Sequence, residues 1–474
     1  MAATRGSTSP TIGPSRERAI APPFGPPRHD GRHAFQRGEG MEPPDPQMND
    51  DTTPITDRRG LLASGAAGLA LAAGCVSTTD DDGDAGTDTG TDTGTSGDGD
   101  DGDGSYTIGM VDPNTGPLSA FGERNQRGRE LALAAINDVG IGGRELEIAV
   151  EDSASDPEGG VSAAQKLVNQ NEVPFLIGAV GSGVSLSIYE SVVQGADVVQ
   201  LSQNSTGLGL TELPGLLRIS PSGRAQSVAL ADIVVEDGYD EVAATFVNDD
   251  FGRTLTDAFV EAYDGEVVYN SPHDRDQQSY SSVVAEMNDS GADAWLFNTY
   301  QDVFISMVNE TFSSGYEAQF YGTDSTQGPD VLDDTPDGSI EEMKVALPSA
   351  PVDQGNYQAF ASRFEDEYGQ SPTTWAAFTY DAVVTAALSI RAADELSGAA
   401  LEEVVRDVTR PEGEEVTSFE AASEILADGG GPGDVDYQGV SGPIDLDENG
   451  DPVGFLQILE VQDDEYVEAG FVEG

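Results

Sequence analysis

From Tyr106 onward the chain alternates two periodicities, and this alternation limits its fold more than any other feature of the sequence. Residues 106–111 read as a strand; Ala132, Ala135, Ile136 and Val139 then recur at i, i+3, i+4 and i+7, the buried stripe of a helix. Strands follow at 146–150, 175–177 and 198–201, separated by a helix facing inward with Val161, Ala164 and Val168 and by a second over 185–193. Another series begins near Arg224, where Leu230, Ile233 and Val234 share a helix face. It continues with strands at 242–247, 267–269, 294–297 and 320–321 and helices at 251–262, 280–287 and 303–312. Such alternation predicts an α/β fold of parallel strands covered by helices on both faces. Two windings in about 370 residues predict two doubly wound, Rossmann-like lobes with a ligand cleft between them.

Charge speaks to habitat and partners. The formal net charge is −64, and acidic and basic residues balance in the first 74 positions, so the whole excess lies beyond them. Lys166 and Lys344 are the only lysines. Self-repulsion on this scale strains a compact fold in dilute buffer, whereas molar salt shortens the Debye length to about 3 Å. The acids are spread over all segments rather than clustered, which predicts a halophile's surface and excludes nucleic acid as a partner.

The N-terminal region reads as an address. Arg58 and Arg59 precede the apolar run LLASGAAGLALAAG at 61–74, which is too short to span a bilayer comfortably, and Cys75, the only cysteine, follows at once. This order predicts a twin-arginine export signal over 48–74. Residues 71–75, LAAGC, resemble the lipobox of bacterial-type lipoproteins, with Ala72 where that pattern prefers leucine; the resemblance implies lipid attachment at Cys75 and a membrane-anchored product on the extracellular face. Residues 1–47 are rich in Pro, Arg and His without apolar periodicity, and read as a non-native or disordered extension, with Met48 the better start. Residues 75–104 are dominated by Asp, Gly and Thr, cannot bury a core, and predict a flexible, self-repelling tether behind the lipid.

Candidate ligand contacts fall where strands end. Gly181-Ser182-Gly183 lies between a strand and a helix start, where free backbone N–H groups and a hydroxyl suit a carboxylate. Ser202, Asn204, Ser205 and Thr206 follow the next strand in the same way, and in a doubly wound sheet both loops meet at the carboxyl edge. Helix capping by Ser182 and Thr206 is the alternative. No catalytic constellation is present. His29 and His33 precede the domain, His273 has no second His or Cys with which to bind a transition metal, and the calcium-like start Asp445-Leu446-Asp447-Glu448-Asn449-Gly450 has Leu456 at the twelfth position, so it reads as a hairpin turn. The reading is of a non-enzyme without cofactor or metal.

Several short motifs, in order, carry a family resemblance: IGMVDPNTGPL at 108–118, AAIN at 134–137, EDSASDP at 151–157, AQKLV at 164–168, IGAVGSG at 177–183, DDFG at 249–252, GADA at 291–294 and YDA at 380–382. Together they resemble the branched-chain amino acid binding proteins of ATP-binding cassette importers, over essentially everything from Ser105 to the C-terminus. The resemblance implies the type I periplasmic binding protein fold, with the chain crossing three times between lobes: 105–222 plus 350–440 in the first, 223–349 plus 441–474 in the second. It implies hinge closure on a small amino acid or amide-like solute and delivery to an ATP-binding cassette permease. By position, Ser182, Asn204 and Thr206 resemble the family's carboxylate-binding set; Tyr300 matches an aromatic after a strand, and Asp324 stands where an acidic residue meets the ligand's ammonium. Phe251 departs from a frequent Tyr, keeping a stacking wall and losing a phenol. An extracellular sensing module feeding a signalling partner is the alternative function; a hydrolase lacks nucleophile, base and metal.

Overall fold

The computed structural model describes residues 104–473. Arg58, Arg59 and Cys75 lie outside the described residues, as does nearly all of the expected tether.

The first winding runs β1 (Tyr106–Asp112), α1 (Ser119–Val139), β2 (Leu146–Asp152), α2 (Pro157–Gln170), β3 (Phe175–Gly178), α3 (Ser182–Ser191), β4 (Val199–Ser202) and β5 (Leu216–Arg218). The second runs α4 (Arg224–Glu236), β6 (Glu241–Val247), α5 (Asp250–Ala262), β7 (Glu266–His273), α6 (Ser281–Ser290), β8 (Ala294–Asn298), α7 (Gln301–Ser314), β9 (Gln319–Gly322), α8 (Pro329–Asp334) and β10 (Lys344–Ser349). The remainder is α9 (Gly355–Tyr368), α10 (Thr374–Ala392), α11 (Gly398–Asp407), β11 (Glu414–Val416), α12 (Phe419–Ala427), β12 (Val435–Gly439), β13 (Gly442–Pro443), β14 (Phe455–Gln462) and β15 (Glu465–Glu473).

The strands form a five-stranded sheet of order β2-β1-β3-β4-β5, a seven-stranded sheet of order β15-β14-β10-β9-β8-β6-β7 and a small sheet β11-β12-β13. The first is parallel throughout. In the second, β6 to β10 are parallel, while β14 and β15 add antiparallel strands at one edge. Alternate side chains of one strand serve opposite faces. Ile108 and Met110 of β1 join the core under α1 and α10, and Val111 joins the core under α2 and α3. Likewise Trp295 and Phe297 of β8 pack on the α6 and α7 side, and Ala294 and Leu296 on the α4 and α5 side. The central parallel strands of each large sheet are therefore buried on both faces, as their near-continuous apolar sequences require.

The chain passes between the two large sheets after Arg218, after Ser349 and before Phe455. Gly442 and Pro443, which the sequence reading places beyond the last passage at 441, still pair with Gln438 and Gly439 of β12. Asp381, fully buried on α10, holds that hairpin in place. Its carboxylate accepts hydrogen bonds from the Tyr437 hydroxyl at 2.7 Å, from Val440 N at 3.0 Å, and from the Ser441 backbone and hydroxyl. Burial lifts its carboxyl to about 6 in spite of those donors. Residues 445–450 form the expected turn, with Gly450 N donating to Asp447 O and Asp447 N to Asp451 O.

Candidate functional site

In an open parallel sheet, loops at the carboxyl ends of two neighbouring strands diverge where their helices take opposite faces, leaving a crevice. In the five-stranded sheet this point lies between β1 and β3: α1 packs on one face, α3 on the other. In the seven-stranded sheet it lies between β6 and β8, with α5 and α7 on opposite faces. One cavity is lined from both. Leu118, Phe121, Val180, Gly181, Ser182, Asn204, Thr206 and Trp375 come from the first side, and Phe251, Tyr300, Asp324 and Ser325 from the second. All six residues expected to contact ligand, Ser182, Asn204, Thr206, Phe251, Tyr300 and Asp324, thus face one space.

The polar wall belongs to the first side. Gly181, at φ 89, turns the chain from β3 into α3 with a backbone that side-chain-bearing residues rarely adopt. Ser182 is the first residue of α3 and makes no capping bond; its hydroxyl accepts from Gly207 N at 2.9 Å instead. Asn204 is buried, and neither its amide nitrogen nor its amide oxygen has a hydrogen-bond partner, in a setting where buried polar groups are ordinarily paired. The backbone around it is tightly held: Gly181 N donates to Asn204 O, and Gly223 N to Thr206 O at 2.7 Å. Capping therefore accounts for neither Ser182 nor Thr206.

Arg218 fixes this loop from below. Fully buried at the end of β5, its guanidinium donates to Gly207 O at 2.9 Å and Ser205 O at 3.3 Å, to the Thr211 hydroxyl at 2.7 Å, and bidentately to Asp451 at 2.6 and 2.5 Å. Such fork geometry suits Arg and not Lys. The loop bearing Asn204 and Thr206 is thereby tied to the last passage of the chain between the sheets.

The opposite wall is aromatic and acidic. Phe251 stacks on Tyr300 with ring centroids 5.5 Å apart and planes at 21°. Burial and the neighbouring Asp249 carboxylate hold the Tyr300 phenol well above its ordinary range; its hydroxyl donates to Asp249 at 2.7 Å, and the Arg275 guanidinium lies 4.3 Å from its ring centroid. Asp324 is 6% exposed. Its one side-chain donor is the Gln226 amide at 2.8 Å, no ion pair reaches it among the described residues, and burial lifts its carboxyl to about 6. This is not the solvated turn that an exposed Asp makes. The remaining space is only about 30 Å3, some tenfold below the roughly 300 Å3 at which ordinary ligand sites begin, so the walls must part to admit a solute.

Sequence reading did not find Leu118, Phe121, Val180, Ser325, Gln226 or Trp375. Leu118 and Val180 stood within quoted motifs and the IGMVDPNTGPL run already pointed to that loop; Trp375 lies in the first turn of α10, whose surface is buried nearly all round and so shows no amphipathic stripe. Among the described residues there is no group of three or more His, Cys, Asp or Glu able to hold a metal, and no helix long and apolar enough to cross a membrane.

A model of the family described as periplasmic binding protein matches residues 105–428. The chain belongs to the periplasmic binding protein family. That family comprises substrate-binding proteins rather than enzymes, and the mixed α/β architecture matches its type I members. Two curated relatives are each 30% identical to this periplasmic binding protein: a Leu/Ile/Val-binding protein homolog of Brucella melitensis, over 46% of this chain and 60% of the relative, and the Leu/Ile/Val-binding protein BraC3 of Rhizobium johnstonii, over 41% and 54%. The matched stretch thus spans less than two thirds of either relative. Among solved structures, a leucine-binding protein of Thermotoga maritima superposes with a TM-score of 0.67 at 19% identity, over 78% of this chain and 99% of that one. A branched-chain amino acid binding protein of Streptococcus pneumoniae in complex with isoleucine gives 0.66 at 20%, over 78% and 100%, and a Rhodopseudomonas palustris solute-binding protein in complex with benzoate gives 0.63 at 18%, over 78% and 96%. At these identities the likeness is one of fold.

Proposed function

We propose that this protein is the extracellular, lipid-anchored solute-binding component of an ATP-binding cassette importer, and that it captures an α-amino acid with an apolar side chain. The observation that carries the reading is Asp324: a carboxylate buried in the cleft with one side-chain amide donor and, among the described residues, no cation, facing the unpaired Asn204 amide, the Ser182 and Thr206 hydroxyls and a helix N-terminus. A buried ionised carboxylate needs donors or a positive partner; Asp381 has four neutral donors, whereas Asp324 has only the Gln226 amide among side chains. An α-ammonium supplies one, while the α-carboxylate meets Ser182, Asn204 and Thr206 and the side chain rests among Leu118, Phe121, Trp375 and Phe251. Benzoate, held by a neighbour of the same fold, has no amine to offer Asp324.

The two sheets with their helices act in this reading as lobes, hinged at the three passages, and closure on ligand is what the permease recognises. Mass spectrometry of solute released from the purified protein tests the ligand class: an α-amino acid is expected, and a ligand lacking any amine would overturn it. Arg58, Arg59 and Cys75 supply export and anchor. Cys75→Ser is expected to shift the exported protein from the membrane fraction to the medium in molar salt, and membrane association equal to wild type would refute the anchor. The net charge of −64 makes this a protein of saline surroundings. Its melting temperature is expected to fall as salt is lowered from molar to about 0.1 M, as screening fades; a salt-independent melting temperature would contradict that assignment.

A further inference from the structure

Beside the cavity, without lining it, the two sides of the cleft touch at a second place. Leu208 to Leu210 form a short turn that follows the Asn204–Thr206 segment on the first side, and α5 of the second side presses its N-terminus against that turn. Leu208 N donates to the Thr254 hydroxyl at 3.0 Å, and Thr254 in turn donates to Asp250 O at 2.7 Å. The Asp250 carboxylate, 7% exposed, lies against Gly209. A Cβ on Gly209 would fall well inside van der Waals contact of that carboxylate, and its three nearest atoms all belong to Asp250. A Cβ on Gly207 would lie 2.5 Å from Asp250 Oδ2 and 2.7 Å from Ser182 Cβ.

Gly209 has no left-handed backbone to explain it, since its φ is not in the positive region. Alanine is therefore acceptable to the turn itself. Its methyl group meets an obstacle only because α5 sits against the turn.

We infer that Gly207 to Gly209 and the Asp250–Thr254 turn of α5 form a clasp that holds the two sides together without touching ligand, and that Gly209 is a positioning residue for closure. The inference rests on the binding reading proposed above and concerns what sets the affinity of that site. A ligand that must also bring this clasp into register gains from it: each bond across the cleft adds to the stability of the closed form alone, and apparent affinity follows the population of that form.

The test compares wild type, Gly209→Ala, Thr254→Val and the double variant Gly209→Ala with Asp250→Ala, in molar salt, by titration calorimetry with L-leucine as probe and by small-angle scattering without ligand. Gly209→Ala is expected to bind leucine roughly tenfold or more weakly and to show a larger ligand-free radius of gyration, with an unchanged melting temperature. Asp250→Ala in that background removes the obstructing carboxylate and is expected to restore part of the affinity, which a merely structural defect would not do. Thr254→Val, which keeps the shape and loses the acceptor, is expected to weaken binding without altering the fold. Wild-type affinity and radius in Gly209→Ala, or no recovery in the double variant, would overturn the clasp. Failure of the wild-type protein to bind leucine would count against the ligand class, and the ligand-free radii would still decide the clasp.

Discussion

Asp324→Asn is expected to lower the affinity for an α-amino acid by roughly a hundredfold, the equivalent of about 3 kcal/mol. The substitution keeps the shape of the side chain and the neighbour Gln226 while removing the charge that an ammonium needs once the cleft has closed around it. Burial raises the Asp324 carboxyl from 3.8 to about 6, so in the ligand-free protein an ionised Asp324 is a cost on the order of 3 kcal/mol above that pH, and the native state gains from this group as pH falls through 6 toward 4. Binding runs the other way. A cationic ligand needs the ionised form, so wild-type affinity is expected to be level above about pH 7 and to fall as Asp324 takes up its proton below about 6. The Asn variant is expected to be weak throughout and to lack this dependence. Calorimetry across pH in molar salt checks both statements, and a variant matching wild type at neutral pH would remove Asp324 from the site.

The largest expected loss of stability comes from Asp451→Ala. It strands the Arg218 guanidinium, fully buried at the end of β5, without the carboxylate that receives two of its bonds. Breaking such a pair by removing one partner costs about 3–5 kcal/mol, far more than an exposed ion pair contributes. Because the pair is buried, high salt should not rescue the variant. Denaturant unfolding with an unchanged slope and a midpoint lowered accordingly is the expected result; a midpoint within error of wild type would show that the acceptors Arg218 already has in Ser205 O and Gly207 O suffice. The same guanidinium carries the loop of Asn204 and Thr206, so the variant's affinity should fall as well.

Most of the parallel winding was legible because its signals are local. Residues 294–297 are an unbroken apolar run and 108–111 nearly so, and helices such as α5 place their apolar residues on one stripe. That the loops of Ser182 and Thr206 meet followed from topology, since in doubly wound sheets the loops after the strands have one edge on which to gather; Phe251, Tyr300 and Asp324 came from the family resemblance, residue by residue. What escaped was set by tertiary context. The helix α10 is apolar on every side and carries no periodic stripe, and the hairpin β14–β15 joins its sheet antiparallel across a long separation from the other strands. Arg218 looked like one basic residue among 22, since nothing in its neighbours foretold Asp451, more than two hundred positions away. Gln226 escaped likewise, lying on a helix whose partner for it, Asp324, comes 98 residues later.

The most direct test of the central claim is titration of the purified domain, stripped of bound solute by unfolding and refolding in molar salt, with leucine, isoleucine, valine, glutamate, lysine and benzoate. Saturable binding of one or more of the apolar amino acids is expected, accompanied by a decrease in radius of gyration, and none of benzoate. Tight binding of benzoate with no response to any amino acid would contradict that claim.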